Sequence, residues 1–195
     1  MHATRRFVES MPADNFVAKL DFTNAFNCVN CSRMLREVFS RVPELYKFCH
    51  LTYSCPSILR FGQWSIDSQE GVQQGDPLGP MLFCLTIHPL LSSLRSILTV
   101  GFLDDITLGD NDVSLASDVQ AIIDGGQELG LQLNIPKCEL ISSGDSPPND
   151  PTLASFLQLK PSNSTLLGAP LTSGEAMDSS LSSRLSDLKR GAERL

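Results

Sequence analysis

The chain has 195 residues, of which 42% are hydrophobic and 19% are charged, a composition typical of a globular domain that buries a core without disulfides or metals. Its 22 acidic and 15 basic residues give a formal charge of −7, which disfavours a protein that holds nucleic acid through Lys and Arg alone. Thr86, His88 and Pro89 interrupt the apolar stretch 81–91, and the N-terminus lacks the apolar segment of a signal peptide. We therefore expect an intracellular protein, nuclear or cytoplasmic, that is not secreted and binds no membrane.

The cysteines give no sign of a metal or redox centre. Six cysteines are scattered through apolar surroundings, and Cys28 and Cys31 form a single CxxC. No second CxxC or spaced His pair accompanies it, whereas structural zinc requires four ligands. The cysteines are therefore interpreted as small buried hydrophobic residues.

The first half of the chain alternates between strand and helix patterns. Alternating apolar residues predict strands, apolar residues at helical spacing predict helices, and Gly and Pro mark the boundaries. The predicted elements are a strand at 15–22, helices at 25–42 and 43–51, a hairpin of strands 57–61 and 64–67 around Gly62-Gln63, a Gly/Pro-rich loop at 71–80 and a buried helix at 81–97.

The second half begins with apolar segments at 98–103 and 106–108, a pattern that suits a tight hairpin whose turn carries Asp104 and Asp105. The two hairpins make the sheet at least partly antiparallel, which favours an α+β fold over a doubly wound parallel sheet. The remaining predicted elements are a helix from about Leu115 that Gly125-Gly126 weaken, a strand at 137–142, a loop at 143–151, a short strand near 166–168, and a tail helix with an apolar stripe of Leu181, Leu185, Leu188, Ala192 and Leu195.

Three carboxylates are the residues that folding explains least. Asp104 and Asp105 lie side by side between apolar segments, where they repel each other unless a cation neutralises them. Asp21 stands where an apolar strand ends and a helix begins. If the two strands are neighbours, the carboxylates converge in a way that suits Mg²⁺ and phosphoryl transfer. Taken alone, however, an Asp-Asp pair is more often a solvated turn.

Four motifs in a fixed order favour the metal site over the solvated turn. The segments are LDFTNAF at 20–26, GVQQGDPLGP at 71–80, GFLDDITLGD at 101–110 and GLQLNIPKCEL at 130–140, and TLLGAPL follows at 165–171. Together they resemble the palm of reverse transcriptases, most closely those of non-LTR (LINE-like) retrotransposons. The resemblance implies an antiparallel palm sheet with helices packed on one face, and RNA-directed DNA polymerase activity on an RNA template, a DNA primer and dNTPs.

The resemblance also implies roles for individual residues. Asp21, Asp104, Asp105 and the backbone carbonyl of Phe22 would hold two Mg²⁺ ions, or Mn²⁺ in their place. One ion would activate the primer 3′-hydroxyl, and the other would neutralise the triphosphate and the leaving pyrophosphate.

Four further residues match positions that contact the nucleotide in the family. Phe26 corresponds to the aromatic ring that excludes a ribose 2′-hydroxyl, although an aromatic residue on a helix is ordinarily part of the core. Gln74 and Gly75 correspond to a pair near the incoming nucleotide, while the same Gly would also shape a loop. Lys137 corresponds to a lysine near the triphosphate, and an isolated Lys is otherwise a solvated cation.

The length relative to the family suggests a fragment. We expect a palm at 1–171 with the fingers largely missing, and a helical tail at 172–195 that begins a truncated thumb; a larger polyprotein would supply the missing segments. The alternative is a catalytically inactive palm remnant of a retroelement with only a structural or binding role. An unrelated Mg²⁺-dependent phosphotransferase would need another phosphate-binding device, and the sequence contains no GxxxxGK[ST] motif.

Overall fold

Helices and strands alternate along residues 2–192, the part of the chain that this computed structural model describes. The strands are β1 (Asn15–Leu20), β2 (Ser57–Phe61), β3 (Trp64–Ser68), β4 (Leu98–Phe102), β5 (Asp105–Asn111), β6 (Glu139–Ser142), β7 (Leu157–Leu159), β8 (Thr165–Leu166) and β9 (Ala169–Pro170). The helices are α1 (His2–Ser10), α2 (Ala25–Cys28), α3 (Cys31–Arg41), α4 (Pro43–Tyr53), α5 (Gly79–Ser93), α6 (Asp112–Glu128), α7 (Pro151–Ala154) and α8 (Glu175–Ala192), with 3₁₀ turns at Ile135–Lys137 and Pro161–Asn163.

A five-stranded sheet in the order β4-β5-β1-β6-β7 organises the chain. The central strand β1 pairs antiparallel with β5 on one side and with β6 on the other, and β4 and β5 form a hairpin. Only the edge pair β6–β7 is parallel within the described residues, because α7 carries the chain back across the sheet before β7 begins. The α+β class and the antiparallel character expected from the sequence are confirmed.

The two faces of the sheet are covered unequally. Alternate residues of β1, among them Phe16, Ala18 and Leu20, enter the main core, which residues of α3, α5 and α6 complete. Val17 points to the opposite face and joins a smaller apolar cluster with Val8 of α1 and residues of β6, β8 and the segment after β9. The helices of the main layer pack on one face as expected, and α1 and the β8–β9 hairpin additionally cover part of the other face.

The helix predicted at 25–42 is broken into α2 and α3. Val29 takes an extended conformation (φ −60°, ψ 133°), and the Asn30 side chain caps α3 by accepting a hydrogen bond from Arg33 N–H. Two distant segments hold the break: Gly71 N donates to Val29 O at 2.8 Å, and Asn30 N donates to Leu129 O at 2.8 Å. The helical periodicity does not reveal these tertiary hydrogen bonds.

The other helices depart from prediction at their ends. Helix α6 runs through Gly125-Gly126 rather than weakening there, and a Cβ added at Gly125 would lie 2.6 Å from a methyl group of Leu90. The glycine therefore lets α5 and α6 approach closely. Helix α5 ends at Ser93 rather than near residue 97, because the buried carboxylates of Asp118 and Asp110 accept hydrogen bonds from the backbone amides that follow.

The hairpin of β2 and β3 is confirmed around Gly62-Gln63, and Gly62 has a φ of +60°. Its register puts Leu59 opposite Ile66 and Phe61 opposite Trp64, so all four side chains share one face of this two-stranded sheet. All four are exposed. The hairpin therefore presents an apolar face to solvent.

The cysteine and tail predictions hold only in part. Cys49 and Cys138 are buried and Cys28 and Cys31 half-buried, but Cys55 and Cys84 are exposed, so burial was wrongly expected for the last two. Helix α8 confirms the tail helix, with Leu181, Leu185 and Leu188 exposed. Leu195 lies outside the described residues, as does the side chain of Ala192. Among residues 2–192, no helix is both long and apolar enough to cross a bilayer.

Candidate active site

The β1–β5 pairing carries the predicted carboxylates to one edge of the sheet. Leu20 lies opposite Ile106 at the end of the ladder, so continuing the register by one residue puts Asp21 opposite Asp105. Asp104 precedes Asp105 in the turn from β4. Directly opposite residues of an antiparallel pair share a face, with Cβ atoms about 5 Å apart. Strands that are distant in sequence thus bring the backbones of the three acids together.

The β4–β5 turn contains Leu103 and Asp104, because Phe102 pairs with Asp105. The sequence predicted a turn that carries both carboxylates; instead, Asp105 is the first residue of β5 and only Asp104 belongs to the turn. Leu103 adopts a left-handed φ of +56°, a conformation that costs a residue with a Cβ roughly 1 kcal/mol or more. The side chains of Asp104 and Asp105 are therefore attached to different backbone conformations, a turn for Asp104 and a strand for Asp105.

The carbonyl group of Phe22 is directed toward the same edge. Phe22 and Leu133 form an isolated antiparallel bridge whose hydrogen bonds are made by the flanking residues, including Asn134 N–H to Asp21 O at 2.8 Å. In such a pair, the C=O of Phe22 points away from Leu133 and so toward the β5 side of β1. No described residue donates a hydrogen bond to this oxygen.

A cavity of about 260 Å³ lies beside the carboxylates, between the sheet and the β8–β9 hairpin. Asp21, Asp105 and Lys137 all line this cavity, so the structure brings three of the predicted site residues together. The residues that line it are Lys19, Leu20, Asp21, Asp105, Ile106, Thr107, Lys137, Glu139, Thr165, Leu166, Leu167 and Gly168. Lys137 ends a 3₁₀ turn instead of starting the predicted strand, which begins at Glu139.

An ion pair that was not predicted from the sequence forms part of this wall. Lys19 and Glu139 are opposite one another in the β1–β6 ladder, and Lys19 Nζ lies 2.5 Å from Glu139 Oε2. Lys19 stands two residues before Asp21 and therefore on the same face of the strand. That spacing was a signal available in the sequence, but its partner Glu139 becomes evident only from the pairing register.

The charges at this edge act most strongly on Asp105. Partial desolvation and then the Asp104 carboxylate raise the pKa of Asp105, Lys19 opposes the increase, and Asp21 adds to it. The two neighbouring carboxylates thus disfavour the ionised form of Asp105 in the absence of a cation.

Removing this charge should stabilise the metal-free protein. The folded-state pKa of Asp105 is raised, so the protonated form favours folding, and that contribution is lost as pH rises through the folded-state pKa. We expect Asp105→Asn to melt at a higher temperature than wild type near pH 7 in EDTA, and the difference to vanish below the ordinary pKa of 3.8. Thermal unfolding across this pH range measures it; equal melting temperatures at pH 7 would contradict the argument.

The donor set suits hard divalent cations. The three carboxylates and the Phe22 carbonyl are all oxygen donors, the ligands that Mg²⁺ prefers. In the side-chain arrangement of residues 2–192, no three His, Cys, Asp or Glu side chains are gathered into a metal-ready cluster. Carboxylates repel one another when no cation neutralises them, so a gathered cluster is not expected without the metal. Three observations support the fit to a divalent cation: the strand pairing that brings the backbones of the three acids together, the raised pKa of Asp105, and the Phe22 carbonyl that accepts no hydrogen bond from a described residue.

The other predicted site residues lie outside the cavity lining. Phe26 on α2 stacks on Phe83 of α5, with ring centroids 4.7 Å apart and planes inclined by 9°. Gln74 and Gly75 lie in an exposed turn beside α2, where Gln74 Nε2 is 3.5 Å from Asn27 Oδ1. The backbone connects this turn to α2 through Val72 N–H, which donates to Phe26 O at 2.6 Å. The structure thus places these three residues together around α2.

Comparison with known proteins shows a family match over most of the chain. The family model for reverse transcriptase (RNA-dependent DNA polymerase) matches residues 1–171. The retrovirus-related Pol polyprotein from type-1 retrotransposable element R2 of Popillia japonica is 32% identical over 147 residues, which are 65% of this chain and 20% of that protein. The chain therefore spans about a fifth of the length of this curated relative.

Solved structures of low sequence identity share the fold. Apo telomerase from Candida tropicalis, truncated from its C-terminal domain, superposes with a TM-score of 0.56 at 16% identity, covering 74% of this chain and 34% of that one. Telomerase from Candida albicans in complex with a fragment of telomeric RNA gives 0.55 at 13% identity, covering 73% and 30%. With the family match over most of its length, the chain belongs to the reverse transcriptase family, and its R2 relative indicates the non-LTR type.

Proposed function

We propose that this chain is the palm portion of an RNA-directed DNA polymerase that extends a primer 3′ end with dNTPs. The observation that carries the proposal is the β1–β5 register, which sets Asp21 opposite Asp105 at the edge where Asp104 and the Phe22 carbonyl also lie. Family membership supplies the reaction class, and the geometry provides an oxygen-rich edge suited to it.

In this proposal Asp21, Asp104, Asp105 and the carbonyl of Phe22 hold two divalent cations, with Mg²⁺ as the expected ion. When bound, such ions activate the attacking hydroxyl and stabilise the negative charge that develops on the leaving pyrophosphate. The protein's own part is to orient the carboxylates from a rigid central strand and a two-residue turn. The strand pairing of β1 on both sides supplies that rigidity.

Lys137 is proposed to act on the triphosphate in the same reaction. It lines the cavity that contains Asp21 and Asp105, so its ammonium group can approach a triphosphate bound at this edge. There it would stabilise negative charge or donate a proton to the leaving group. The other nearby cation, Lys19, already pairs with Glu139.

Phe26 is proposed to exclude the 2′-hydroxyl of a ribonucleotide. Its ring is half-buried and stacked on Phe83, so it is held in place as a steric obstacle. We expect Phe26→Ala to raise the ratio of ribonucleotide to deoxynucleotide incorporation by about 10- to 100-fold, the usual range for removing a small steric contact. Competitive primer extension with paired rNTP and dNTP measures that ratio.

The ratio is independent of the amount of folded enzyme, which matters because Phe26 also contacts the core. Phe39→Ala is a matched control, since Phe39 is an exposed Phe on α3. A ratio unchanged in the Phe26 variant would remove the proposed gate.

The domain boundaries and partners are also proposals. We assign the palm to residues 1–171, with residues 172–195 as the start of a thumb, and RNA template and DNA primer as the nucleic-acid partners. The R2 relative is about five times longer than the matched region, which supports a larger polyprotein as the source of fingers and thumb. The charge of −7 supports the same division, because segments elsewhere would have to supply the basic surface that grips the polyanions.

Primer extension on an RNA template tests the function. The 195-residue chain is compared with a longer version that includes the flanking coding segments, each with Mg²⁺ and with EDTA. We expect Mg²⁺-dependent incorporation of dNTPs by the longer version. If the longer version is folded but extends no primer, the polymerase proposal is wrong.

A further inference from the structure

Gln74 and Gly75, which the family resemblance puts near the incoming nucleotide, occupy the tip of a β-turn. Asp76 N–H donates to Gln73 O at 3.1 Å, which closes a four-residue turn with Gln74 and Gly75 at its centre. Gly75 has a φ of +91°, the conformation that a type II turn demands at this position. A Cβ built on Gly75 would meet no atom within 4 Å, so the tip is open to an approaching ligand.

One buried phenol holds both ends of this turn. The Tyr53 hydroxyl donates to a carboxylate oxygen of Asp76 and accepts a hydrogen bond from Gln73 N–H at 3.3 Å. The second carboxylate oxygen of Asp76 accepts from Leu78 N–H at 2.8 Å, just before α5 begins. Tyr53, the last residue of α4, is only 7% exposed, whereas Gln73, Gln74 and Gly75 are exposed.

We infer that Tyr53 is a positioning residue for the nucleotide site: by binding Gln73 and Asp76 together, it fixes the turn that presents Gln74 and Gly75. The inference rests on the proposed polymerase function, and it assigns to Tyr53 a role in nucleotide binding although it does not contact the cavity beside the carboxylates.

The turn needs such a positioning residue because its tip is exposed while the residues on either side of it are buried. Gly71, Val72 and Gly79 are buried on either side, but the intervening turn has little packing of its own. An exposed segment with few contacts loses conformational freedom when a ligand binds, which weakens binding unless the segment is already ordered. A buried phenol with two hydrogen bonds supplies that order in advance.

The phenol is suited to act as a permanent donor. Burial, followed by the hydrogen bond to the Asp76 carboxylate, raises the pKa of Tyr53 above its ordinary value. The hydroxyl therefore retains its proton throughout the neutral range, and the carboxylate remains its acceptor. A phenylalanine would keep the ring's packing but leave both Gln73 N–H and the Asp76 oxygen without this partner.

The test compares Tyr53→Phe with wild type in steady-state primer extension, in whichever form of the protein extends primers. We expect the KM for dNTP to rise about tenfold, as for the loss of a hydrogen bond to a charged group, while kcat changes less than about twofold. Tyr46→Phe is a matched control, since Tyr46 lies on the same helix and packs against Phe39 and His50. Melting temperatures verify that each variant is folded.

A double-mutant cycle separates positioning from general destabilisation. If Tyr53 acts through the turn, Tyr53→Phe should raise the KM much less in a Gln74→Ala background than in wild type, because the contact that it orients has gone. Additive effects on KM would overturn the inference. Asp76→Asn, which retains an acceptor for the phenol, should have a smaller effect on KM than Asp76→Ala.

Hydrogen exchange provides a readout that needs no activity. We expect the backbone amides of Gln73 and Asp76 to exchange faster in Tyr53→Phe than in wild type or Tyr46→Phe. A wild-type polyprotein that extends no primer would overturn the proposed function itself. Extension by wild type, combined with an unchanged KM or unchanged exchange in Tyr53→Phe, would overturn this inference alone.

Discussion

Replacing Asp104 or Asp105 with Asn is expected to lower the rate of Mg²⁺-dependent primer extension by about a thousandfold or more, with the fold retained. Divalent ions contribute several kcal/mol of transition-state stabilisation, and each 1.36 kcal/mol corresponds to a factor of ten in rate. An amide is nearly isosteric with a carboxylate but carries no charge to hold the cation. Both residues lie at the edge of the sheet, Asp104 in the turn and Asp105 at the start of β5, so the core is undisturbed.

The measurement is single-turnover extension with purified variants, accompanied by circular dichroism and thermal melting. Asp124→Asn serves as the control, because Asp124 is exposed on α6 and, among residues 2–192, its side chain bonds only to Gln120 of the same helix. Wild-type extension rates in both variants would show that the chemistry lies elsewhere. For Asp105→Asn, loss of activity should accompany the gain in metal-free stability predicted above, a combination that global unfolding would not produce.

The largest loss of stability is expected at Asp118, a buried residue of α6 outside the proposed site. One of its oxygens accepts hydrogen bonds from Arg95 N at 2.9 Å and from Ser96 N and Oγ at 2.6 Å each. Asp118→Ala leaves the buried Ser96 N–H and hydroxyl, together with the partly buried Arg95 N–H, without a protein partner, which should lower the free energy of unfolding by about 3 kcal/mol.

Urea denaturation of Asp118→Ala and of the exposed control Asp124→Ala measures this effect, and Asp118→Asn should lie between wild type and Asp118→Ala because the amide retains an acceptor oxygen. Asp118 fixes the segment between α5 and β4. Asp110 accepts a hydrogen bond at 3.0 Å from Ile97 N, the last backbone amide of that segment. A loss equal to that of the Asp124 control would mean that water satisfies the donors without cost.

Local patterns predicted the elements that have local causes. Pro43 begins α4, and Gly62 with its positive φ turns the β2–β3 hairpin, so both boundaries were correct. The break at Val29-Asn30 was missed because it depends on hydrogen bonds from Gly71 and to Leu129, which only the tertiary structure supplies. Where packing decides the boundary, periodicity along the chain carries no information about it.

The candidate site shows the same division. The acids Asp104 and Asp105 were recognisable because adjacent carboxylates between apolar segments are costly without a cation. Tyr53 was not recognisable from the sequence, because a tyrosine near the end of an apolar helix is ordinarily a core residue. Its hydrogen bond to Asp76 joins two segments whose relative position the sequence does not specify. Residues that bind a reactant can be recognised from sequence motifs, whereas a residue that positions such residues is identified only from its contacts in the structure.

The central place of β1 in the sheet has a consequence for biosynthesis. This strand leaves the ribosome before its partners, which are β5, ending at Asn111, and β6, ending at Ser142. At ordinary translation rates, roughly 10 s separate β1 from the completion of β6. Throughout that interval both backbone edges of an apolar strand lack their native neighbours, a state prone to self-association. High contact order also slows the final closure, so we expect nascent chains to bind chaperones until residue 142 has emerged.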